Sequence, residues 1–206
     1  MRIDDYKNAI TLAAKELAER DADRTALLSG AERTAYGLNL NFFNRQVNVT
    51  IPAYEVNWAD RTEGEDFALT DAVMVLHYLQ GAAGIKPTGE LVAYRQLSGG
   101  EFYTTAFRKR AEIPLIKTFG QTPGLLTKAA ELLGGTKKEG LGDEAALFRV
   151  LPNIELLTMI HLGDEEFEPD GQVLFDKSID RAVSIEDAAW LGSAVVYRLM
   201  ALTRKA

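Results

Sequence analysis

The chain has 206 residues, of which 47% are hydrophobic, enough to form a substantial buried core. Its net charge of −7 would repel phosphate backbones, which argues against nucleic acid as a partner. The absence of cysteine excludes disulfides, thiolate nucleophiles and cysteine-ligated metal centres. No apolar run is long enough to span a membrane and the first residues lack a signal-peptide pattern, so we expect no membrane association and a cytoplasmic location.

Hydrophobic periodicity predicts the elements of the first half of the chain. Apolar residues recur every three or four positions over 3–20, which predicts an amphipathic helix appended to the domain. A short helix over 24–29, with Asp23 as its candidate cap, should end at Gly30. Alternating residues over 36–42 and 47–51 then predict a β-hairpin. Thr70 or Asp71 should cap a helix that reaches about residue 80 and is apolar on almost every side, as buried helices are.

The second half is predicted from turn and capping signals as well as from periodicity. A strand over 91–97 is followed by helical pieces over 101–110 and 113–119, and Thr122-Pro123 precedes a further helix. Apolar, β-rich runs at 145–150 and 154–162, and a short one at 173–175, predict strands. The last helix should begin with a capping box at Ser184 and extend to about Arg204.

These elements predict the fold class. The strands are grouped and do not alternate regularly with helices, which favours an α+β fold, a mainly antiparallel sheet packed with helices. Two of the helices, at about 71–80 and 185–204, should be strongly apolar and buried. We predict a single domain over 1–206, with a weak internal duplication between 36–80 and 154–200 as an open alternative. Neither a dinucleotide-binding glycine motif nor a P-loop is present.

The segment 77–110 differs in charge from the rest of the chain. It contains five lysines and arginines against two glutamates, a charge of +3, whereas the remaining chain carries −10. A basic segment in an acidic protein suggests an anionic partner, although an ordinary strand, turn and helix with a solvated basic face is the alternative. Arginine side chains bind carboxylate and phosphate in a bidentate manner, tyrosines add rings and hydroxyls, and the amides of a glycine-rich turn can form an anion-binding nest. The candidate ligand-binding residues are His77, Tyr94, Arg95, Ser98, Gly99, Gly100, Tyr103, Arg108 and Arg110.

The two histidines and an acidic turn are the remaining candidates for chemistry. His77 could ligate a metal or the iron or cobalt of a tetrapyrrole, but a hydrogen-bonded core histidine is the alternative. His161 reads as an exposed strand-end residue. The acidic turn over 164–170 offers oxygen ligands, yet its spacing does not match an EF-hand, and a solvated hairpin tip is the alternative. We assign no catalytic residue and no metal ligand.

Several blocks of the sequence resemble one family. The blocks LHYLQGAAG, PTGELVAYRQLSGGEFYTTAFRKR, PLIKTFG, LGDEEFEPDGQVLFD and SIEDAAWLG are similar to those of an uncharacterised family of anaerobic bacteria and archaea, domain of unknown function number 3786. The similarity covers about residues 36–200. It implies an anaerobic source and supplies neither an activity nor site residues.

Three functions therefore remain open. The leading interpretation is a binding module for a small anionic ligand or cofactor, a tetrapyrrole-like one included, at segment 77–110. The second is an interaction or scaffold protein whose basic segment docks an acidic partner protein. The third is an enzyme without a recognisable motif, so whether the chain is an enzyme stays open.

Overall fold

The computed structural model describes residues 3–204, which divide into two compact units. The first unit contains the chain up to Lys86 together with 151–153 and 181–183, and the second contains 87–150, 154–180 and the chain from Ser184. Each unit has its own antiparallel sheet and helices, which confirms the predicted α+β class. The single-domain organisation and the internal duplication stay predictions. Within residues 3–204, no helix has the length and hydropathy that crossing a membrane requires.

Three helices belong to the first unit: α1 (Ile3–Ala18), α2 (Ala22–Ser29) and α3 (Leu69–Gly81). α1 packs along α3 and buries Ala13 and Leu17. The cap of α2 is Asp21 and not the predicted Asp23, because the Asp21 carboxylate accepts the N–H of Arg24 at 2.7 Å.

α3 is the buried helix that the sequence predicts. Its residues from Asp71 to Leu76 are all buried, as are Tyr78 and Leu79. The predicted caps are wrong, because the helix begins at Leu69 and its N-cap is Ala68, which places Thr70 and Asp71 inside the first turn.

The first sheet contains β1 (Glu32–Arg33), β2 (Gly37–Phe42), β3 (Arg45–Thr50) and β4 (Val56–Trp58), in that order and antiparallel. The predicted hairpin is confirmed as β2 and β3. Its two-residue turn, Phe43-Asn44, has positive φ angles of 48° and 62°, the conformation that matches the twist of a hairpin. One face of the sheet is buried through Leu38, Leu40 and Val47, so the alternate residues point outward.

The second sheet has the order β5-β9-β8-β7-β6. Its strands are β5 (Leu91–Ala93), β6 (Thr136–Lys137), β7 (Glu144–Leu151), β8 (Ile154–His161) and β9 (Asp170–Asp176). β7 and β8 confirm the predicted pair of strands. β5 is shorter than predicted because Tyr94–Gln96 form a 3₁₀ turn, which the Gln96 side chain stabilises by accepting the Ala93 N–H at 2.9 Å.

The second unit contains one long helix where the sequence predicted two. A 3₁₀ turn, Gly100–Phe102, precedes α4 (Thr104–Phe107), which continues through a π-helical turn, Arg108–Glu112, into α5 (Ile113–Phe119). Pro114 lacks an N–H and would disturb the carbonyl four residues earlier in an ordinary α-helix. The chain widens at this point, and the Ile113 N–H donates to the Arg108 carbonyl, an i→i−5 bond.

Two further helices complete the second unit, α6 (Leu125–Leu132) and α7 (Ile185–Leu202). α7 confirms the second apolar helix and its predicted cap, since Ser184 accepts the Asp187 N–H at 3.1 Å. α6 begins after Gly124, which has no side chain to cap it.

Candidate functional site

A cleft of about 300 Å³ opens in the second unit, beside the π-helical turn. We call it the arginine cleft, because the predicted residues Arg95 and Arg108 both line it, together with Tyr94. The cleft draws on β5, the 3₁₀ turn, the long helix and β9. Its other lining residues are Leu91, Ala93, Gln96, Thr104, Phe107, Glu112, Gln172 and Leu174.

Within residues 3–204, Arg95 is the cation of this cleft whose side chain has no partner. It lies exposed on the 3₁₀ turn, and no residue in the described part of the chain forms an ion pair or hydrogen bond with its side chain. A close backbone approach positions the turn: a Cβ added at Gly100 would lie 2.0 Å from the Tyr94 carbonyl oxygen. Glycine at this position therefore lets the loop fold back against the turn that carries Arg95.

Arg108 is only loosely paired. Its guanidinium lies 3.8 Å from a Glu112 oxygen and 3.6 Å from an Asp170 oxygen, both beyond good hydrogen-bond distance. The side chain is 52% exposed, so solvent screens these pairs. An incoming anion could replace either pair at low cost.

Glu112 brings an acid into the same cleft. Its side chain is 12% exposed, and burial raises the pKa of its carboxyl above the ordinary value. The N–H of Val173 and the charge of Arg108 oppose this rise in pKa, while the nearby Asp170 adds to it. Glu112 therefore has two neighbouring residues that stabilise its charged form but too little hydrogen bonding to overcome its burial.

The π-helical turn places this acid beside the cation. Arg108 and Glu112 are the first and last residues of the turn, and both line the arginine cleft. π-helical turns occur often at functional sites, because the widened backbone changes the direction of the side chains.

Tyr94 contributes to two different environments. Its ring stacks on Phe107, with 4.3 Å between centroids, and its hydroxyl donates to the Ile185 carbonyl at 3.3 Å. Burial raises the pKa of the Tyr94 hydroxyl, and the charge of Arg110 partly counters the rise. Arg110 lowers and Tyr103 raises the pKa of the Tyr94 hydroxyl electrostatically. Neither residue lines the arginine cleft.

The predicted anion nest is engaged by the chain itself. The Ser98 N–H and hydroxyl donate to Asp180 at 3.1 and 3.2 Å, and the Gly100 N–H donates to the Leu97 carbonyl at 2.9 Å. Gly99 adopts a φ of 79°, the left-handed conformation expected of this turn. The Ser98 donors therefore bind an internal carboxylate, and Gly99 and Gly100 shape the turn, while ligand binding by these three residues stays a prediction.

The remaining candidates lie elsewhere in the chain. His77 is half-buried on α3 and belongs to the first unit, whereas the other eight predicted residues belong to the second. His161 is exposed at the end of β8. In the acidic turn, the N–H groups of Glu166 and Phe167 hold the pKa of Asp164 below its usual range. Among residues 3–204, no group of three histidine or acidic side chains is arranged to hold a metal ion.

The candidate ligand-binding residues predicted from the sequence did not include the neutral polar residues of the cleft or Glu112. One signal was present, since Arg108 and Glu112 are four residues apart and such pairs meet on a helix. Nothing local marked Gln172, which β9 brings to the cleft from far along the chain.

Comparison with known families identifies the family of the chain. A family described as Domain of unknown function (DUF3786) matches residues 21–198. The chain belongs to this family. The match confirms the resemblance seen in the sequence, and it includes every residue that lines the arginine cleft of this DUF3786 protein. No curated protein and no solved structure shows a significant match to the chain.

Proposed function

We propose that this DUF3786 protein is a binding module for a small anionic ligand, with the arginine cleft as its site. The observation that carries the proposal is one cleft lined by two guanidinium groups, of which Arg95 has no partner among residues 3–204. Arg108 is bound to its carboxylates only loosely. Guanidinium groups in such a cleft bind carboxylate or phosphate through charge-assisted hydrogen bonds.

The other lining residues define the class of ligand further. Gln96, Thr104 and Gln172 offer neutral donors and acceptors, and Leu91 and Leu174 offer apolar contact. A small organic acid or a phosphate ester that carries hydroxyl or amide groups matches this lining. The volume of about 300 Å³ is at the lower end for ligand pockets, so it favours such a molecule over a tetrapyrrole.

Glu112 makes the site sensitive to protonation. As a neutral acid it can donate a hydrogen bond to the ligand, whereas as a carboxylate it repels an anion and competes for Arg108. Because its pKa is raised, anion binding should weaken as the pH rises through that raised value.

The test is ligand-dependent stabilisation measured by thermal unfolding. Inorganic phosphate, sulfate, citrate and glycerol phosphate are added separately to wild type and to Arg95→Ala, Arg108→Ala, Arg108→Lys and Lys109→Ala. Lys109→Ala is the matched control, since it removes an exposed positive charge next to Arg108 but outside the cleft.

We expect at least one anion to raise the Tm of wild type and of Lys109→Ala. Both arginine-to-alanine variants should lose most of this rise, and Arg108→Lys should recover only part of it, because an ammonium cannot reproduce a bidentate contact. Equal stabilisation of wild type and Arg108→Ala, or no stabilisation by any anion, would refute the proposal.

Catalysis is a second candidate function, and Glu112 is the observation that favours it. A half-buried carboxyl with a raised pKa, beside arginines in a cleft, suits general acid or base chemistry. In an enzyme, Glu112→Gln would abolish turnover of a phosphate or carboxylate ester while anion binding persists. In a pure binding module, no turnover would be found in wild type.

A further inference from the structure

The outward face of the first sheet carries a row of carboxamide side chains. Asn39 on β2 pairs in register with Asn48 on β3, and Asn48 pairs in register with Asn57 on β4. In the next row, the Gln46 side chain donates to the Asn41 carboxamide oxygen at 2.7 Å. We call this surface the amide face.

The amide face departs from what strands usually contain. Asparagine is disfavoured in strands because its side chain forms hydrogen bonds with nearby backbone groups, which competes with the hydrogen bonds between strands. Four of the seven asparagines of the chain nevertheless lie on this single face: Asn39, Asn41, Asn48 and Asn57. Residues that oppose the local structural preference and stabilise nothing within the fold are expected at functional sites.

The row formed by Asn39, Asn48 and Asn57 offers carboxamide groups that a ligand can contact. Within residues 3–204, the side chains of Asn39, Asn48 and Asn57 have no hydrogen-bond partner. Asn48 is exposed, and the other two are half-buried. Their donors and acceptors therefore face solvent in an ordered row set by the strand register.

A shallow groove of about 280 Å³ accompanies the row. Asn39 and Asn48 line it, as do Thr34, Tyr36 and Thr50, which add three hydroxyl groups. Tyr36 is 85% exposed, so its ring is accessible to a ligand in the groove. Among the described residues that line the groove, none carries a charge.

We propose that the amide face binds a neutral carbohydrate. A carboxamide presents a donor and an acceptor side by side, which suits neighbouring hydroxyl groups that each donate and accept. The exposed ring of Tyr36 can pack on the apolar side of a sugar ring. The absence of charge in the groove favours a neutral ligand over the anion proposed for the arginine cleft. Strands are spaced by about 4.8 Å, so the three asparagines extend over roughly 10 Å, the scale of a short oligosaccharide.

The side-chain amide signals of nitrogen-15-labelled protein test this proposal directly. Maltohexaose, cellohexaose, xylohexaose and mannohexaose are titrated separately to millimolar concentration. With at least one of them, the signals of Asn39, Asn48 and Asn57 should shift and saturate, while that of Asn8, exposed on α1, should not.

Two variants separate the site from the fold. Asn48→Thr removes the central carboxamide but keeps good strand propensity, and it should weaken sugar binding at least tenfold. Asn8→Ala, the matched control, should bind as wild type. No saturable shift with any of the four sugars, or equal binding by Asn48→Thr, would overturn the proposal. So would shifts of the same amide signals with protein concentration alone, which would identify a second copy of the chain as the occupant.

Discussion

Two carboxyl groups of the second unit, the buried Asp176 and the half-buried Glu112, have pKa values shifted in opposite directions. Asp176 is 1% exposed and accepts the N–H groups of Thr88, Gly89 and Ser178 at 3.0, 2.6 and 2.9 Å. The Ser178 hydroxyl adds a fourth hydrogen bond at 2.6 Å. We call this arrangement the Asp176 turn.

The comparison shows that hydrogen-bond donors can outweigh burial in setting the charge of a carboxyl group. Burial acts to raise the pKa of Asp176, but the Ser178 hydroxyl and the N–H groups of Thr88, Ser178 and Gly89 hold that pKa below its ordinary value. Glu112 has fewer donors, and burial raises its pKa. The Asp176 turn thus stabilises the fold, whereas Glu112 keeps hydrogen-bonding capacity that a ligand could use.

The largest effect is expected at Asp176. Asp176→Asn turns a donor-bearing group toward backbone N–H groups and leaves buried donors unpaired, which should lower the free energy of unfolding by about 3 kcal/mol. Urea denaturation measures the loss. Asp164→Asn is the control, since Asp164 also accepts two backbone N–H groups but is exposed, so its loss should be clearly smaller.

The pH dependence sharpens this prediction. Because the folded pKa of Asp176 is below its unfolded value, its stabilisation is fully present above the unfolded pKa of about 3.9 and is lost as pH falls through the folded pKa. The stability gap between wild type and Asp176→Asn should therefore narrow in acid. A gap that stays constant to the acid-unfolding limit would show that Asp176 acts through its shape and not its charge.

A second carboxylate with several donors should behave like Asp176. Glu144 is buried and accepts the N–H groups of Gly124 and Thr127 at 2.6 and 2.8 Å, and the Thr127 hydroxyl at 2.7 Å. It thereby supplies the cap that α6 lacks in its own sequence. Glu144→Gln should lower the free energy of unfolding by about 1 to 2 kcal/mol, measured by urea denaturation. Glu155→Gln, with a single exposed arginine partner, should cost less.

The smallest effect, and one of opposite sign, is expected at Glu112. Its raised folded pKa means that ionisation destabilises the folded state, a penalty absent below the unfolded pKa and complete above the folded pKa. Glu112→Gln should therefore slightly raise the Tm at neutral pH, and the gain should vanish in acid. A loss of stability at neutral pH would mean that the pair with Arg108 outweighs burial, and that Glu112 belongs with Asp176.

The elements predicted correctly were those with local signals. The hairpin of β2 and β3 follows from strict alternation, and α7 follows from the Ser184 cap and an apolar run. The sequence predicts two helical pieces, over 101–110 and 113–119, whereas the chain continues from Thr104 to Phe119 through the π-helical turn, for which the sequence has no recognised local signal.

The candidate site was predicted only in part. Sequence reasoning selected Arg95 and Arg108, which share a cleft, but it also selected Ser98, whose donors bind Asp180, 82 residues away. Such a partner leaves no local pattern. Ligand binding at these residues stays a prediction until the anion titrations are made.

By itself, the sequence determined the α+β class, the two buried helices, the paired strands and the family, because hydrophobic period and capping act over a few residues. Tertiary structure alone decided which carboxyl groups accept several hydrogen bonds and which arginines line the same cleft. It also decided that Asn39, Asn48 and Asn57 form a row. Burial, strand register and long-range hydrogen bonds set these features, and each depends on residues that are distant in the chain.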